Sequence, residues 1–292
     1  MLDPAHLATL AAVHRRGSFD LAAAELHLTA SAISQRIKAL EERTGALLIR
    51  RGTPCTATET GLRLIRHHDE IALLERALDQ ELGLAAGPAT LRIAVNADSL
   101  ATFVIPALAA TDGLLFDLVI DDQDVSQDWL RRGEVVAAIT AHPGPLQGCD
   151  TIPLGALRYR ATASPAYVRR WFSDGVTAEA MAAAPALTFS DKDRLQTRWA
   201  AARVPGLTRP LLPTHRMASS HAFVDACRAG LGWAMNPEPL VTRLLADGNL
   251  VELIPDTPLD VALYWQFTRL SAPSLAPVTE AIRRAARASL VA

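Results

Sequence analysis

Apolar positions in the first sixty residues recur at helical spacing in three short bursts. Leu7, Leu10, Ala11 and Val13 share one face over residues 4 to 16, and Gly17-Ser18 ends that run. A second burst, Phe19 to Leu26, carries alanines at 22, 23 and 24 that permit close helix packing. After a turn at His27-Leu28, Thr29 stands as an N-cap, and Ala30 to Arg43 puts Ile33, Ile37 and Leu40 on one side. Short helix, tight turn and amphipathic helix predict a helix-turn-helix. Leu47 to Arg50, the turn Arg51-Gly52-Thr53-Pro54 and a returning strand from Thr56 to Thr58 add a wing.

From residue 59 to about 84 the pattern changes to one long helix, with no Gly or Pro between Gly61 and Gly83. Leu64, Ile71 and Leu78 are spaced by sevens, with Leu74 between them, a seam that a lone helix cannot bury. Ala85-Ala86-Gly87-Pro88 breaks the helix. Three parts are therefore expected: a DNA-binding head over 1–58, a linker or dimerisation helix over 59–86, and a third unit over 87–292.

In the third unit strand-like and helix-like runs alternate. Leu91 to Val95, Phe116 to Ile120 and Val135 to Thr140 read as strands, with helices over 98 to 110 and 124 to 132 between them, and the pattern resumes after 160. Such alternation predicts α/β units on mostly parallel sheets. Tyr159 to Ser164 and Val261 to Phe267 look like crossovers, and a last helix at about 274 to 290 returns to the first lobe. The expected division is lobe I at 91–161 and 266–292 and lobe II at 162–265, with a ligand crevice between them where strands end and helices begin.

Charge changes this picture in one respect. The chain has 292 residues, with 29 Lys and Arg against 31 Asp and Glu, a net charge of −2, so any DNA contact must be local. Residues 1 to 58 hold seven Lys/Arg, five of which (Arg36, Lys38, Arg43, Arg50, Arg51) fall in the third helix or the wing. Half of the residues are hydrophobic, which excludes a disordered acidic chain. No apolar run approaches the roughly 20 residues that cross a bilayer, and the start MLDPAHLATL lacks a basic stretch followed by an apolar core, so a soluble, unexported, cytoplasmic protein is expected. Cys55, Cys149 and Cys227 are odd in number and widely spaced, which predicts reduced thiols and neither a disulfide framework nor a metal site.

The polar face of the third helix carries the chemistry of DNA recognition. Ser31, Ser34, Gln35 and Lys38 project away from the apolar stripe, and Thr29 and Arg36 flank them. Hydroxyls beside a helix N-terminus can meet phosphate oxygens, an amide can pair both edges of an adenine, and Arg50 and Arg51 in the wing can meet backbone phosphate.

The strings GSF, AAAELHLT, SAISQRIKALEERTG and TATETG, in that order, resemble the DNA-binding domain of LysR-type transcriptional regulators. Ala30 stands where that family usually has glutamine, which removes a contact at the start of the recognition helix. The strings AVNADSLATF, LRRGEVVAAIT, CDTIPLGALRY, SDKDRLQ, RAGLGWAMNPE and LYWQFTRLSAPSLAPVTEAI are similar to the branch of the family that senses lysine or arginine and activates an exporter of basic amino acids. The resemblance implies an α/β architecture with an N-terminal winged helix-turn-helix, a long linker helix, and a two-lobed periplasmic-binding-protein-like (type 2) effector domain. It implies no enzyme activity and no cofactor. The implied partners are double-stranded DNA, a basic amino acid as effector, and a second copy of the chain in antiparallel pairing. A homotetramer and contact with RNA polymerase are further partners it allows.

Strand ends and helix starts supply the effector candidates Asn96, Asp98, Ser99, Asp122, Thr140, Ser190, Ser219 and Ser220, with Asp121 and Asp191 as neighbours. On the resemblance, Ser99 and nearby N–H groups hold the effector's α-carboxylate, and Asp98 or Asp122 its ammonium or guanidinium. The branch pattern has glutamate at the place of His221 and an acidic residue at the place of Gln123, so this chain has less negative charge near the cleft. The sequence leaves open a less basic effector or a lower affinity. The other class of function is a two-lobed solute-binding protein or enzyme with an accessory helix-turn-helix. The missing export signal weighs against the first, and the absence of GxSxG, HExxH and Gly-rich phosphate loops against the second.

Overall fold

The computed structural model describes residues 2–84, 89–121, 126–207 and 212–292. The head is built from α1 (Pro4–Arg16), α2 (Phe19–Glu25), α3 (Ala30–Thr44), β1 (Ile49–Arg50) and β2 (Thr56–Ala57). Its core is the apolar stripe read from the sequence, with Leu7, Leu10, Val13, Ile33, Ile37 and Leu40 all buried. Each helix starts on a side-chain cap: Asp3 accepts from Ala5 N–H, Ser18 from Leu21 N–H and Thr29 from Ala32 N–H. β1 and β2 pair antiparallel to form the wing.

Helix α4 (Glu59–Glu81) joins two cores, since Ile65 packs into the head and Leu73 into the core of the third unit. Its first turn runs tightly against the wing, which explains Gly61. A Cβ there would lie 2.3 Å from the Leu48 carbonyl oxygen and 3.2 Å from Ala57 Cβ. Of the seam read from the sequence, Leu64 packs against the head core and the part further along the helix is open. Leu74 is 40% exposed and Leu78 53%, and Leu82, just past the helix, is 63% exposed.

The third unit opens with β3 (Ala89–Val95), α5 (Ala97–Ser99), a π-helical turn at Leu100–Val104 and α6 (Ile105–Ala109), so the single helix expected over 98 to 110 is broken. Next come β4 (Leu114–Ile120), α7 (Ser126–Arg132), β5 (Ala137–Thr140) and the fifteen-residue β6 (Cys149–Ala163). The second lobe holds α8 (Pro165–Trp171), α9 (Ala178–Ala183), β7 (Ala186–Thr188), α10 (Leu195–Arg203), β8 (Thr214–Arg216), α11 (Ser220–Arg228), β9 (Ala234–Pro237), α12 (Glu238–Ala246) and β10 (Val251–Glu252). The chain returns through β11 (Leu259–Thr268) and a short 3-10 turn to α13 (Ala272–Ser289).

The main sheet runs β10-β6-β11-β5-β3-β4, with β9 also on β6. The expectation of mostly parallel sheets holds for β3 with β4 and β5 and for β7 with β8, and is corrected elsewhere. β6 leaves the first lobe and β11 comes back to it, so the two pair antiparallel, and β9 and β10 join β6 antiparallel as well. Arg158 on β6 and Asp260 on β11 face each other and make a bidentate pair at 2.8 Å. In the second lobe Arg160 clamps Glu238 and Glu252 at 2.5 and 3.2 Å. Among the described residues no helix is long and apolar enough to cross a membrane.

Because the Leu48 carbonyl closes off the space at Gly61, Gly61→Ala is expected to lower stability by about 1–3 kcal/mol, the usual cost of overpacking. Urea denaturation followed by tryptophan-independent far-UV circular dichroism checks this, with Gly144→Ala, where a Cβ meets nothing within 4 Å, as the neutral control.

Candidate functional site

Two surfaces carry functional side chains. The first is the exposed face of α3 with the wing. Thr29, Ser31, Gln35 and Lys38 are exposed there and Ser34 is half-buried. Thr29 spends its hydroxyl oxygen on the cap of α3, and Lys38 stands 3.6 Å from Glu42 one turn on. Arg36 departs from the expected face. It flanks the buried Ile33/Ile37 stripe, and its guanidinium donates at 3.4 Å to the Thr9 hydroxyl of α1. Arg50 is exposed on β1, while Arg51 lies 5.1 Å above the Phe19 ring and holds the wing against α2.

Besides the Leu48 and Ile49 N–H groups that donate to Glu41 of α3, two further bonds fix the wing to the rest of the head. Cys55 N–H donates to the Gly17 carbonyl at 2.7 Å. Ala57 N–H donates to His14 Nδ1 at 3.2 Å, which requires that nitrogen to be unprotonated. His14 also lines a cavity of about 420 Å3 between the head, α4 and the first lobe, together with Arg15, Asp69, Arg92 and Asp117. Arg15 pairs with Asp69 at 2.5 Å and Arg92 with Asp117 at 3.2 Å. Burial holds the His14 pKa below its ordinary 6.5, helped by Arg92 and Arg15 and opposed by Asp117 and Asp69.

The second surface is the crevice between the lobes, divided into an inner and an outer chamber. The inner one, about 30 Å3, is lined by Asn96, Asp98 and Asp121 from the first lobe and by Phe189, Asp193, Ser220 and Asn236, among others, from the second. Among the described residues its lining has three carboxylates and no Arg, Lys or His. Asp98 joins the lobes, with Oδ2 accepting from the Tyr159 hydroxyl of β6 at 2.8 Å and Oδ1 from the Ser220 hydroxyl of α11 at 2.6 Å. Asp121 accepts from Trp129 Nε1 at 3.0 Å, and Lys192 Nζ stands 3.7 Å away on its other oxygen. Asp193 accepts from the backbone N–H groups of Phe189 and Leu195 and so shapes its loop. Asn236 is fully buried. Its amide nitrogen donates to Thr162 at 2.9 Å, and its carbonyl oxygen has no donor.

The outer chamber, about 280 Å3, shares Ala97, Phe189 and Ser220 with the inner one and is otherwise mostly apolar, with Leu100, Ile105 and Ile120. Ser219 and His221 belong here. The replacement read at His221 therefore falls outside the acidic lining.

Of the effector candidates, the structure gathers Asn96, Asp98 and Ser220 into the inner chamber and leaves Ser219 at the outer one. Three others are not among the lining residues of either chamber. Ser99 is fully buried outside the chamber lining, and its N–H, expected to cradle a carboxylate, donates instead to Asn96 Oδ1 at 2.7 Å. Thr140 is buried at the end of β5 and accepts from His142 N–H. Ser190 accepts from Lys192 N–H in a tight turn. The Thr140 and Ser190 hydroxyls accept from backbone N–H groups two residues on, the usual local competition at turn starts, whereas the buried Ser99 hydroxyl has no hydrogen-bond partner. Asp122 and Gln123 lie outside the described residues. Asp193, Asn236 and Tyr159 were missed; Asn236 follows the same rule of strand end before helix start that found Asn96.

A winged helix-turn-helix head joined through a long helix to a two-lobed crevice defines a ligand-responsive DNA-binding regulator. The chain belongs to the LysR family: residues 4–62 match the bacterial regulatory helix-turn-helix protein, lysR family, and residues 85–287 the LysR substrate binding domain. It is 45% identical to the HTH-type transcriptional regulator LysG of Mycobacterium tuberculosis, over 98% of this chain and 94% of that one. It is 44% identical to the regulator ArgP of Pseudomonas fluorescens, over 100% and 99%. The crystal structure of ArgP from M. tuberculosis superposes with a TM-score of 0.83 at 42% identity, covering 100% and 99% of the two chains. Full-length LysG from Corynebacterium glutamicum, solved with arginine bound as effector, gives 0.70 at 35% identity, covering 99% and 100%.

The lowered His14 pKa sets a pH dependence. The folded state binds its proton less readily than the unfolded chain does, so the contribution of His14 is complete above pH 6.5 and declines as pH falls through 6.5 towards the lower folded value. Chemical denaturation at pH 8 and 5.5 is expected to show a larger loss for the natural protein than for His14→Gln, whose amide oxygen keeps the acceptor without titrating. His68, lowered in the same direction by burial, is common to both proteins and cancels.

Proposed function

We propose that this protein is a transcriptional regulator that binds a basic amino acid, lysine or arginine, in the inner chamber and, in response, changes how its winged heads sit on DNA. The observation that carries this is the chamber lining: among the described residues it has three carboxylates, an unpartnered buried carbonyl oxygen on Asn236, and no cationic side chain. A buried acceptor without a donor is costly unless a ligand supplies one. An ammonium or guanidinium has several N–H donors and the matching charge. In this reading Asp98 and Asp121 take the cationic groups, Asn236 accepts from an ammonium N–H, and Ser220, once turned away from Asp98, is free to donate to the α-carboxylate. The arginine bound to the C. glutamicum relative supports the ligand class.

At 30 Å3 the chamber holds little more than a water, so an amino acid enters only after the lobes part. A second copy pairs through the exposed Leu74/Leu78/Leu82 side of α4, which places two heads for a two-fold symmetric operator, and the dimer is the unit from which a tetramer builds. The protein acts in the cytoplasm, has no catalytic role and, as the resemblance implies, controls a gene for export of the amino acid it binds.

Two measurements test this. On DNA from the region upstream of its own gene, Arg50→Ala is expected to weaken binding at every sequence and reduce the logarithmic salt slope by about 1, while Gln35→Ala costs about 1–3 kcal/mol on the specific site only. An unchanged salt slope removes Arg50 from the interface. In a thermal-shift screen of the twenty amino acids, lysine or arginine at a hundredfold excess over Kd should add about 2.7 kcal/mol of stability. Asp121→Asn should abolish that shift, and a shift from neutral amino acids alone would reject the basic-effector reading.

A further inference from the structure

We infer that Lys192 is an internal competitor of the effector: from the second lobe its ammonium reaches across the crevice to Asp121 of the first lobe, and a bound basic amino acid must displace it. This rests on the reading of the inner chamber as the site of a basic effector.

Lysine is rare in this chain. Lys38 and Lys192 are the only two, against 27 arginines, and Lys192 sits in the loop that forms one wall of the inner chamber. That loop is held in shape independently of Lys192. Both carboxylate oxygens of Asp193 accept backbone N–H groups, from Phe189 and Leu195 at 2.9 and 3.0 Å. Lys192 N–H donates to Ser190 Oγ at 3.1 Å, and Asp191 pairs with Arg216 at 2.8 Å. Of four consecutive residues, three tie the loop to itself or to its own lobe, and Lys192 extends to the other lobe.

Its target is equally fixed. Asp121 follows β4, its N–H donating to the Val95 carbonyl at 3.2 Å, and its Oδ2 accepts from Trp129 Nε1. Trp129 in turn carries Arg132 4.7 Å above its ring. Asp121 thus presents Oδ1 in a set direction, and Lys192 Nζ lies 3.7 Å from it. An ammonium on a flexible stem is chemically the same group as the end of a lysine effector, and it offers the charge, though not the fork, of arginine. With 59% of its side chain exposed, Lys192 can retreat into solvent without leaving a buried charge behind.

Two consequences distinguish this from a purely structural ion pair. Together with the Asp98–Ser220 hydrogen bond, the Lys192–Asp121 pair links the lobes through the same carboxylates that would read the effector. The resting crevice is then held closed by mimicry of the ligand, and the effector concentration needed to respond is raised by the strength of that mimicry. Removing the ammonium therefore tightens binding, where removing a ligand-holding residue would weaken it.

Isothermal titration calorimetry of the full chain with L-arginine and with L-lysine tests the inference in the natural protein, Lys192→Met and Arg194→Met. Methionine keeps the stem of Lys192 and removes its charge. Arg194→Met takes a cation from the same loop without touching Asp121. Lys192→Met is expected to bind both amino acids about two- to fivefold more tightly, the range that an exposed pair covers, and Arg194→Met is expected to match the natural protein. Equal gains in the two variants would show a general field effect and overturn the inference. An unchanged or weaker affinity in Lys192→Met would also overturn it, the weaker one by making Lys192 a ligand-holding group. If neither amino acid binds the natural protein or Lys192→Met, the basic-effector reading fails and the competitor role with it.

Discussion

The antiparallel ladder of β6 and β11 is the constraint on which the two lobes depend. Ten residues of β11 are in register with β6, and the same two strands carry β5 on one side and β9 and β10 on the other. Neither lobe closes its sheet without them, and the largest buried cluster accordingly draws on both lobes, from Leu91 and Ile93 to Trp199 and Trp233. The ladder is interrupted between Leu263 and Tyr264. There Gly155 adopts a φ of 116° and leaves room for the C-terminal strand end, whose Val291 carbonyl accepts from Ala156 N–H at 2.8 Å; a Cβ on Gly155 would lie 2.7 Å from that oxygen. A bulge in a shared ladder is a local break in an otherwise stiff connection, so bending between lobes is focused rather than spread.

This frame determines the chemistry of the crevice. Tyr159 lies on β6 just where that strand begins to pair with β9, and it delivers its hydroxyl to Asp98 from the connection itself. Asp98 is therefore held by a group that belongs to neither lobe alone and by Ser220 from the far lobe. Asp98 accepts from the Tyr159 and Ser220 hydroxyls, Asp193 from two backbone N–H groups, and Asp121 from Trp129 Nε1 with the exposed Lys192 ammonium 3.7 Å away. The β6 arginines are spent at the surface of the ladder, Arg158 on Asp260 and Arg160 on Glu238 and Glu252.

Much of the head was legible because its signals are local. Helix period, cap residues and the Gly17 and Gly45 ends fix α1 to α3, and the exposed side of α3 follows from the buried one. Arg36 escaped that logic because a residue at the edge of the buried stripe can turn either way, and here it reaches Thr9 across the core. In the crevice the local rule found the right neighbourhoods, Asn96 to Ser99 and Ser219 to Ser220, and failed on which atoms face the ligand. Thr140 and Ser190 illustrate the failure: a hydroxyl beside a turn accepts from nearby backbone first. Asp98 meets Ser220 across 122 positions of sequence, and the Tyr159 contact spans 61; no local pattern encodes pairings of that range.

The same first-lobe strands that end in the crevice begin at the head. β3 and β4 are paired in parallel along seven residues, with Arg92 opposite Asp117. That ion pair borders the cavity shared with His14, Arg15 and Asp69, while the residues that follow the two strands, Asn96 and Asp121, line the inner chamber. The span from one end to the other is four residues of extended chain, about 13 Å. A hydrogen-bonded strand pair of that length moves as a unit, so a displacement at Asp121 is carried to Asp117 and Arg92 without an intervening loop to absorb it. His14 meets that end from α1 and holds the wing through Ala57. A continuous path of rigid elements thus runs from the carboxylate that Lys192 faces to the wing, and it passes through two ion pairs and one imidazole. An effector that prefers one lobe arrangement can bias the head only if such an element differs between the two arrangements. The β3–β4 pair meets the geometric half of that requirement, and the Arg92–Asp117 and Arg15–Asp69 contacts, bordering a cavity rather than a packed core, are the joints at which the head can shift against it.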